Sequence, residues 1–170
     1  MTRKPGDEVE IANDDLLLLE NQLCFALYAA TRAVTKTYRE KLTLLGLTYP
    51  QYLVLIVLWE EDGSTITAIG HRLMLDSGTL TPLVKRLENM GYVDRLRGTQ
   101  DEREVRVHLT EAGRELKNSV LDARCYVACR LGMTETEILA LRSELMELIA
   151  RLEASGTPMS HSISVTDGQN

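Results

Sequence analysis

The sequence predicts an all-α protein with one small β-hairpin. Three observations support this fold class. Apolar residues recur every three or four positions over long stretches, capping residues and glycines fall at the ends of those stretches, and strict alternation of apolar and polar residues occurs near residues 105–109. The 170 residues are enough for one ordinary domain with appended helices.

The first predicted helix is long and one-sided. Its apolar positions between Leu16 and Leu45 recur at helical spacing, so we expect one amphipathic helix from about Asp14 to Leu45. Gly46 then fits the glycine that commonly ends a helix. Cys24 lies in this row of leucines, where the ordinary interpretation of a free cysteine is a small buried hydrophobe.

The second predicted helix is apolar on nearly every side. Thr48 can cap it, Pro50 suits its first turn, and the pair Asp62 and Gly63 ends it, so we expect it to be buried. Its apolar run has seven residues, whereas a membrane span needs about twenty. The polar N-terminus does not resemble a signal peptide either. We therefore expect a cytoplasmic protein with no membrane partner.

Two short helices follow, over about Thr65 to Leu73 and Ser77 to Met90, and a tight turn joins them. The second has one apolar face, with polar and basic side chains elsewhere, which is typical of a helix-turn-helix. Pro82 lies beyond the first turn, so we expect an irregular start to this helix.

A hairpin and two further helices complete the pattern. A strand near Tyr92 to Arg97, a charged loop and the alternating strand form a hairpin, and a hairpin directly after a recognition helix is a wing. Thr110 caps a helix that runs to about Arg130, and Thr134 with Glu137 forms a capping box for a last helix that ends near Ala154.

This pattern divides the chain into three parts. We expect a flexible N-terminal segment over residues 1–13, a single domain over 14–154 and a disordered tail over 155–170. Within the domain, helices over about 14–45 and 111–154 flank a winged helix-turn-helix over about 48–110. The flanking helices are leucine-rich and need a partner surface, which a homodimer supplies together with two DNA-reading heads.

The charge distribution permits DNA binding without demanding it. The formal net charge is -6, yet residues 71–106 carry seven Lys or Arg against six Asp or Glu. The three cysteines, in a reducing compartment, indicate free or redox-active thiols rather than a structural framework.

The segments LDSGTLTPLVKRLENMGYVDR and DEREVRVHLTEAG resemble the recognition helix and wing of MarR-type winged-helix regulators. The similarity extends from roughly Leu16 to Leu152. The segments ENQLCFALY and LTYPQYLVL, with Tyr38, resemble the organic-hydroperoxide-sensing OhrR branch of that family, in which a cysteine of the first helix senses peroxide.

The resemblance implies a redox role for Cys24. Only a few per cent of an unperturbed thiol is ionised at neutral pH, and the thiolate is the form that attacks a peroxide. Tyr28 lies one turn from Cys24, whereas Tyr38 is fourteen residues on, about 21 Å along a straight helix. If Tyr38 assists, it must belong to the other subunit. The resemblance implies this arrangement, with Tyr38 and Tyr49 of the partner holding the Cys24 sulfur.

The resemblance also implies a second redox cysteine. In two-cysteine members of this branch a cysteine at the position of Cys129 converts the sulfenic acid into an intersubunit disulfide, and Cys125, one turn earlier, could substitute. Alternatives for the pair are packing or a metal site, although no second pair of ligands is visible. We expect no cofactor and no metal.

On the DNA side, the resemblance implies contacts from the recognition helix to phosphates and base edges in the major groove, and an arginine at the wing tip that enters the minor groove. The ordinary alternative is a solvated helix face and a charged hairpin tip. The predicted contact residues are Ser77, Thr79, Thr81, Lys85, Arg86, Asp101, Arg103 and Arg106.

These inferences predict a homodimeric repressor that binds double-stranded DNA at an inverted repeat and releases it when an organic hydroperoxide oxidises Cys24. One alternative is a MarR-type regulator that answers a small aromatic ligand, with Cys24 merely packed. Another, of a different class, is a thiol peroxidase. The arginine-rich wing argues against an enzyme.

Overall fold

The structure of the protein is a computed structural model that describes residues 15–97 and 104–154. The chain forms two compact units, one ending at Arg130 and one beginning at Leu131, and each is described by itself. Residues 1–14 and 155–170 lie outside the described residues, and with them the expected flexible segment over 1–13 and the expected tail over 155–170.

The first unit confirms a mostly helical fold with a hairpin. Its helices and strands, in chain order, are α1 (Leu23–Leu42), α2 (Tyr49–Glu60), β1 (Ser64–Thr65), α3 (Ile66–Leu73), α4 (Ser77–Asn89), β2 (Val93–Arg97), β3 (Val105–Leu109) and α5 (Glu111–Leu131).

The core of this unit forms around α2. Val54, Leu55 and Leu58 are almost completely buried, and they belong to one cluster with Leu80 of α4 and Val107 of β3. The expected burial of α2 is confirmed for this face. The other face is only partly covered, because Leu53, Ile56 and Trp59 remain at intermediate exposure.

The expected first helix is wrong in its N-terminal third. The chain forms two short 3-10 turns, Asp15–Leu17 and Leu19–Asn21, before α1 begins at Leu23. Gln22, the N-cap, has an extended backbone. The side-chain amides of Asn21 and Gln22 donate to the carbonyls of Asp15 and Leu16. These bonds satisfy the backbone locally and compete with a continuous helix. At the other end a 3-10 turn, Thr43–Leu45, leads to Gly46 at φ 70°.

The helix-turn-helix forms as expected, with one difference at Pro82. Helix α4 begins regularly, with Asp76 as its N-cap, and continues through Pro82 without a break. The missing N–H of Pro82 therefore costs one hydrogen bond near the helix start rather than the helix itself. In the turn before α4, Met74 has a left-handed backbone at φ 55°, and a Cβ on Gly70 would lie 2.8 Å from the Leu75 carbonyl oxygen.

The wing is a three-stranded sheet rather than a simple hairpin. Strand β3 pairs antiparallel with β2, Val93 opposite Leu109, and on its other edge with the short strand β1, Ser64 opposite Val107. Two residues are too few to give an alternating pattern, so the sequence did not predict β1. The charged loop, residues 98–103, lies outside the described residues.

The start of α5 is fixed against the end of the winged unit. Thr110 caps α5, since its hydroxyl accepts from the Gly113 N–H, and it also donates to the Gly91 carbonyl. A Cβ at Gly113 would lie 2.1 Å from the Tyr92 carbonyl oxygen. The Gly113 carbonyl accepts from the Trp59 indole at 2.9 Å. The close approach to the Tyr92 carbonyl leaves no room for a Cβ, so position 113 needs a glycine.

The second unit contains α6 (Glu135–Ala154). The expected capping box is present, because the Glu137 carboxylate accepts from the Thr134 N–H and hydroxyl at 2.8 Å and the Glu137 N–H donates back. Among the described residues no single helix is long and apolar enough to cross a membrane, and one bent pair, Leu23–Leu45 with Tyr49–Glu60, passes by length and composition alone.

Candidate functional site

Helix α4 presents a polar, basic face to solvent. Its residues Leu80, Val84 and Leu87 are fully buried, and this burial fixes which side faces outward. The outward side carries five predicted DNA contacts that are all exposed: Ser77, Thr79, Thr81, Lys85 and Arg86.

The threonine hydroxyls on this face already donate hydrogen bonds within the protein, whereas its cations make no ion pair with the described residues. Thr79 donates to the Asp76 carboxylate, and Thr81 donates to the Ser77 carbonyl. The hydrogen bonds from Thr79 hold the pKa of Asp76 below its usual range, so this N-cap stays ionised at neutral pH. Lys85 and Arg86 have no carboxylate within ion-pair distance in the described part of the chain.

The predicted wing contacts are only partly visible. Asp101 and Arg103 lie outside the described residues. Arg106 is described, and its guanidinium donates to the Gly63 carbonyl at 3.2 Å and pairs with Glu104 at 2.6 Å. Arg106 thus also joins β3 to the residue that precedes β1, a structural role that the sequence did not predict.

Two charged contacts that the sequence did not predict hold the reading head together. The Glu88 carboxylate of α4 accepts from the Arg95 guanidinium of β2 at 2.7–2.8 Å. This ion pair ties the recognition helix to the wing, and it holds the pKa of Glu88 below its usual range. The spacing of seven residues across a turn gives no recognisable sequence signal.

Asp62 is the second such contact. Its carboxylate accepts from the N–H groups of Gly63 and Leu109 and from the Arg114 guanidinium of α5. Partial burial alone would raise the pKa of Asp62, but the hydrogen bonds from Leu109 and Arg114 outweigh it and lower the pKa. Asp62 therefore links the end of α2, the wing and the start of α5.

Cys24 is the second residue of α1. It is a free and exposed cysteine. Within a single chain, Cys24 is therefore not a buried packing residue. The Gln22 N-cap makes no side-chain bond to the helix N–H groups. The first turn of a helix is a region where unpaired N–H groups favour an anion.

A cluster of three tyrosines lies where α1 meets α2. The ring centroid of Tyr38 lies 5.0 Å from that of Tyr49 and 5.4 Å from that of Tyr52, and the latter two are 5.9 Å apart. Burial, together with the neighbouring Tyr38, raises the pKa of both Tyr49 and Tyr52. Their hydroxyls are therefore protonated and able to donate hydrogen bonds at neutral pH. Tyr52 was not predicted, although its spacing of three from Tyr49 on α2 is a usable signal.

The structure does not bring Cys24 and this cluster together within one chain. Cys24 and Tyr38 lie on the same helix, fourteen residues apart, which is about 21 Å. The nearer Tyr28 is exposed, and its hydroxyl accepts from Arg32 at 2.7 Å. Tyr38 is thus too far from Cys24 of its own chain to contact the Cys24 sulfur.

Cys125 and Cys129 lie one turn apart on α5, and both are free and exposed. Between them Tyr126 donates to the Glu40 carboxylate of α1 at 2.7 Å, which fixes this part of α5 against α1. Within residues 15–97 and 104–154 no three potential ligands come together to hold a metal ion.

The N-terminal part of the first unit exposes a set of large apolar side chains. A monomer seldom leaves so many together without a partner surface. The exposed residues in this segment are Leu16, Leu17, Leu18, Leu19, Leu23, Phe25 and Tyr28.

Residues 36–120 match the family model described as Transcriptional regulator SarA/Rot. The chain is 49% identical over 145 residues to the HTH-type transcriptional regulator TtmR of Methylorubrum extorquens (strain PA1), covering 85% of this chain and 74% of the relative. It is 44% identical over 138 residues to the organic hydroperoxide resistance transcriptional regulator of Bacillus subtilis (strain 168), covering 81% and 94%.

Solved structures of AbfR, a protein of Staphylococcus epidermidis, are similar as well. Reduced AbfR bound to DNA matches with a TM-score of 0.68 and 40% identity, covering 79% of this chain and 93% of AbfR. Disulfide-formed AbfR matches with a TM-score of 0.59 and 40% identity, covering 77% and 92%.

Proposed function

Because the chain belongs to the SarA/Rot family of MarR-like winged-helix, DNA-binding transcriptional regulators, we propose that it is a homodimeric repressor whose operator is released when an organic hydroperoxide oxidises Cys24. The B. subtilis relative is named for organic hydroperoxide resistance, and AbfR has been solved in a reduced, DNA-bound form and in a disulfide form. The similar relatives are transcriptional regulators rather than enzymes.

The observation that carries this proposal is the separation of the free Cys24 from the tyrosine cluster. Three packed tyrosines provide hydroxyls at one end of α1, and an exposed thiol lies at its other end. A second α1 in antiparallel orientation places the thiol of each subunit beside Tyr38 and Tyr49 of its partner. One two-fold axis then completes two identical sites.

The exposed apolar segment supports this dimer. If Cys24 lies against the partner's Tyr38, the two α1 helices cross near Thr31, halfway between them. Leu23 and Phe25, which flank Cys24, then lie beside the Tyr38 end of the partner's α1 and lose part of their contact with water. Burial of apolar area contributes about 25 cal/mol per Å² to association, from which the entropic cost of joining two chains is subtracted.

The proposed chemistry is a two-electron oxidation. The Cys24 thiolate attacks the distal oxygen of the hydroperoxide, an S–O bond forms as the O–O bond breaks, and the departing alkoxide takes up a proton to become an alcohol. The sulfenic acid then reacts with the Cys129 thiol of the partner, giving a disulfide and water. Hydrogen bonds from the partner's Tyr38 and Tyr49 hold the thiolate before attack.

Operator release follows from the distance between the two reading heads. The two α4 helices of a dimer must match half-sites about 34–36 Å apart, with Lys85 and Arg86 at the DNA backbone and base edges and Arg103 in the minor groove. Disulfide formation brings two sulfurs to about 2.05 Å. It therefore moves helices of both subunits whenever the thiols start farther apart.

A gel-shift assay on the DNA upstream of the chain's own gene tests this function. Wild-type protein should bind the DNA and release it after treatment with cumene hydroperoxide. Cys24→Ser keeps the side-chain size and removes the reactive sulfur, so it should bind equally well and stay bound under peroxide. Release of the Cys24→Ser protein would contradict the proposal.

Cys129→Ser serves as the companion variant. Its Cys24 can still reach the sulfenic acid, but no intersubunit bridge should form on a non-reducing gel, and release should be slower or should require a small thiol. Persistence of the bridge would assign the resolving role to Cys125 instead.

A second candidate function is regulation by a small aromatic anion, and one cavity favours it. This cavity, of about 230 Å³, lies between α2 and α5 and is lined by Tyr52, Trp59, Lys117 and Arg124 among others. It combines aromatic walls with two cations and the Glu60 carboxylate, and its volume is below that of most ligand sites. Release of the operator by benzoate from the Cys24→Ser protein would favour this candidate.

A further inference from the structure

A second feature of α1 is a groove with an unusual concentration of positive charge. Two adjoining cavities, of about 490 and 480 Å³, share Thr35 and Arg39 as lining residues. Together they form what we call the α1 groove, which runs along α1 from Tyr28 to the start of α2. The cavity nearer α2 is lined by Arg39, Leu47, Tyr49 and Pro50 among others.

Three cations line the α1 groove: Arg32, Lys36 and Arg39. None of the residues that line the two cavities is Asp or Glu. In the part of the chain that the structure describes, no carboxylate lies within 4.0 Å of these three cations. A groove lined by one sign of charge concentrates ions of the opposite sign, and here it does so in a chain whose net charge is -6.

The positions of the cations limit what the groove can hold. The Arg32 guanidinium is already bonded to the Tyr28 hydroxyl and lies 5.5 Å from the centre of its ring. Lys36 and Arg39 have no comparable contact among the described residues and are exposed. Beside them an apolar wall is formed by the buried Leu47, the half-buried Tyr49 and the exposed Pro50. This arrangement fits a ligand with an anionic head and an apolar body.

The groove also reaches the proposed redox site, because Tyr49 lines it. In the proposed dimer the Tyr49 hydroxyl faces Cys24 of the partner. We propose that the α1 groove binds the carboxylate of an organic hydroperoxide through Arg39 and Lys36, and that the apolar body of this oxidant then places its hydroperoxy group at the partner's Cys24. This assignment of the oxidant class rests on the proposed function.

The chemical step is the proposed oxidation of Cys24 to the sulfenic acid. The Cys24 thiolate gains the distal oxygen, the peroxide is reduced to an alcohol, and the carboxylate is unchanged. The groove therefore acts on binding and positioning alone. It should raise the rate at which carboxylated peroxides oxidise Cys24. The rate with uncharged peroxides should not depend on the groove.

A matched pair of peroxides tests this proposal. Cumene hydroperoxide and its para-carboxylate differ only in the anionic group, and the loss of the Cys24 thiol can be followed with each on the full-length protein. The wild type should prefer the carboxylate, and Arg39→Gln should reduce this preference about tenfold, the effect of one charge-assisted hydrogen bond. Lys41→Met is the control, because the Lys41 ammonium lies over the Tyr126 ring outside the groove. It should keep the wild-type preference.

Binding of para-isopropylbenzoate, which cannot oxidise a thiol, separates the groove from the redox step. Calorimetry should show binding to the wild type and about tenfold weaker binding to Arg39→Gln. If this acid binds as expected but neither peroxide oxidises Cys24, the anion site stands and the redox function fails. Equal preference in the wild type and Arg39→Gln, with oxidation intact, would overturn the groove alone. Loss of operator affinity in Arg39→Gln with an unchanged preference would identify a DNA contact and overturn it as well.

Discussion

At the scale of single residues, the proposed function rests on the tyrosine cluster and on the exposed cations of α4. Tyr38, Tyr49 and Tyr52 pack ring against ring, and burial raises the pKa of Tyr49 and Tyr52, so that both are hydrogen-bond donors at any physiological pH. Tyrosine suits this place because it packs as an apolar ring and still offers a donor. Its neutral hydroxyl can therefore donate a hydrogen bond to an anion without adding a buried charge.

Lys85 gives the residue-scale prediction. Its ammonium is exposed on α4, and Lys85→Ala should weaken operator binding uniformly across sequences and reduce the slope of log affinity against log salt by about one. Fluorescence anisotropy at several salt concentrations measures both. Arg142→Ala, an exposed cation of α6, is the control and should leave the slope unchanged. An unaltered slope for Lys85→Ala would remove Lys85 from the interface.

At the scale of helices and strands, the most constrained junction joins the wing to α5. A Cβ on Gly113 would lie 2.1 Å from the Tyr92 carbonyl oxygen, and the Gly113 carbonyl accepts from Trp59 of α2. The segment LTEAG at the start of α5 therefore encodes both a helix cap and a close backbone approach. This close approach gives a physical reason for the glycine of LTEAG, a motif that resembles the MarR-type pattern.

Gly113→Ala tests this junction. The added methyl group must displace the Tyr92 backbone, and we expect a loss of about 1–3 kcal/mol in the free energy of unfolding. Chemical denaturation measures it, with Ala112→Gly as a comparison that removes a methyl group at the adjacent helical position. A Gly113→Ala protein as stable as the wild type would mean that the backbone yields easily at this point.

Asp62 gives a prediction about pH. Its pKa is lowered in the folded state, so its contribution to stability is present above the pKa of the unfolded chain and is lost as the pH falls through the lower folded value. Asp62→Asn should cost about 1 kcal/mol at neutral pH, since the contact with Arg114 is partly exposed to solvent. The difference from the wild type should shrink in acid. Urea denaturation at several pH values checks this, and a constant difference would contradict it.

Most helices could be predicted from the sequence because their ends carry local signals. Thr48, Asp76, Thr110 and Thr134 each precede a helix in the structure. The start of α1 could not, because the leucine spacing continues through residues 16–22 while side-chain bonds to the backbone interrupt the helix. Contacts between distant elements, such as the one between Asp62 and Arg114, leave no local pattern in the sequence.

At the scale of the whole molecule, the candidate site is divided between the two ends of one helix. Cys24 begins α1 and Tyr38 lies near its end, so the sequence could identify both residues but a single chain cannot join them. The proposed sensor therefore requires an antiparallel pair of α1 helices. In such a pair each subunit is at once the sensor for one site and the donor for the other.

Mixed dimers test the proposed antiparallel pairing of the α1 helices. Differently tagged Cys24→Ser and Tyr38→Phe/Tyr49→Phe subunits are combined, and the heterodimer is purified through both tags. Its single Cys24 belongs to the chain that lacks the tyrosine hydroxyls, and the partner chain carries the intact Tyr38 and Tyr49. If the hydroxyls act across the dimer, cumene hydroperoxide should oxidise this Cys24 at the wild-type rate per thiol, whereas the Tyr38→Phe/Tyr49→Phe homodimer should react at least about tenfold more slowly. A heterodimer as slow as that homodimer would contradict the account.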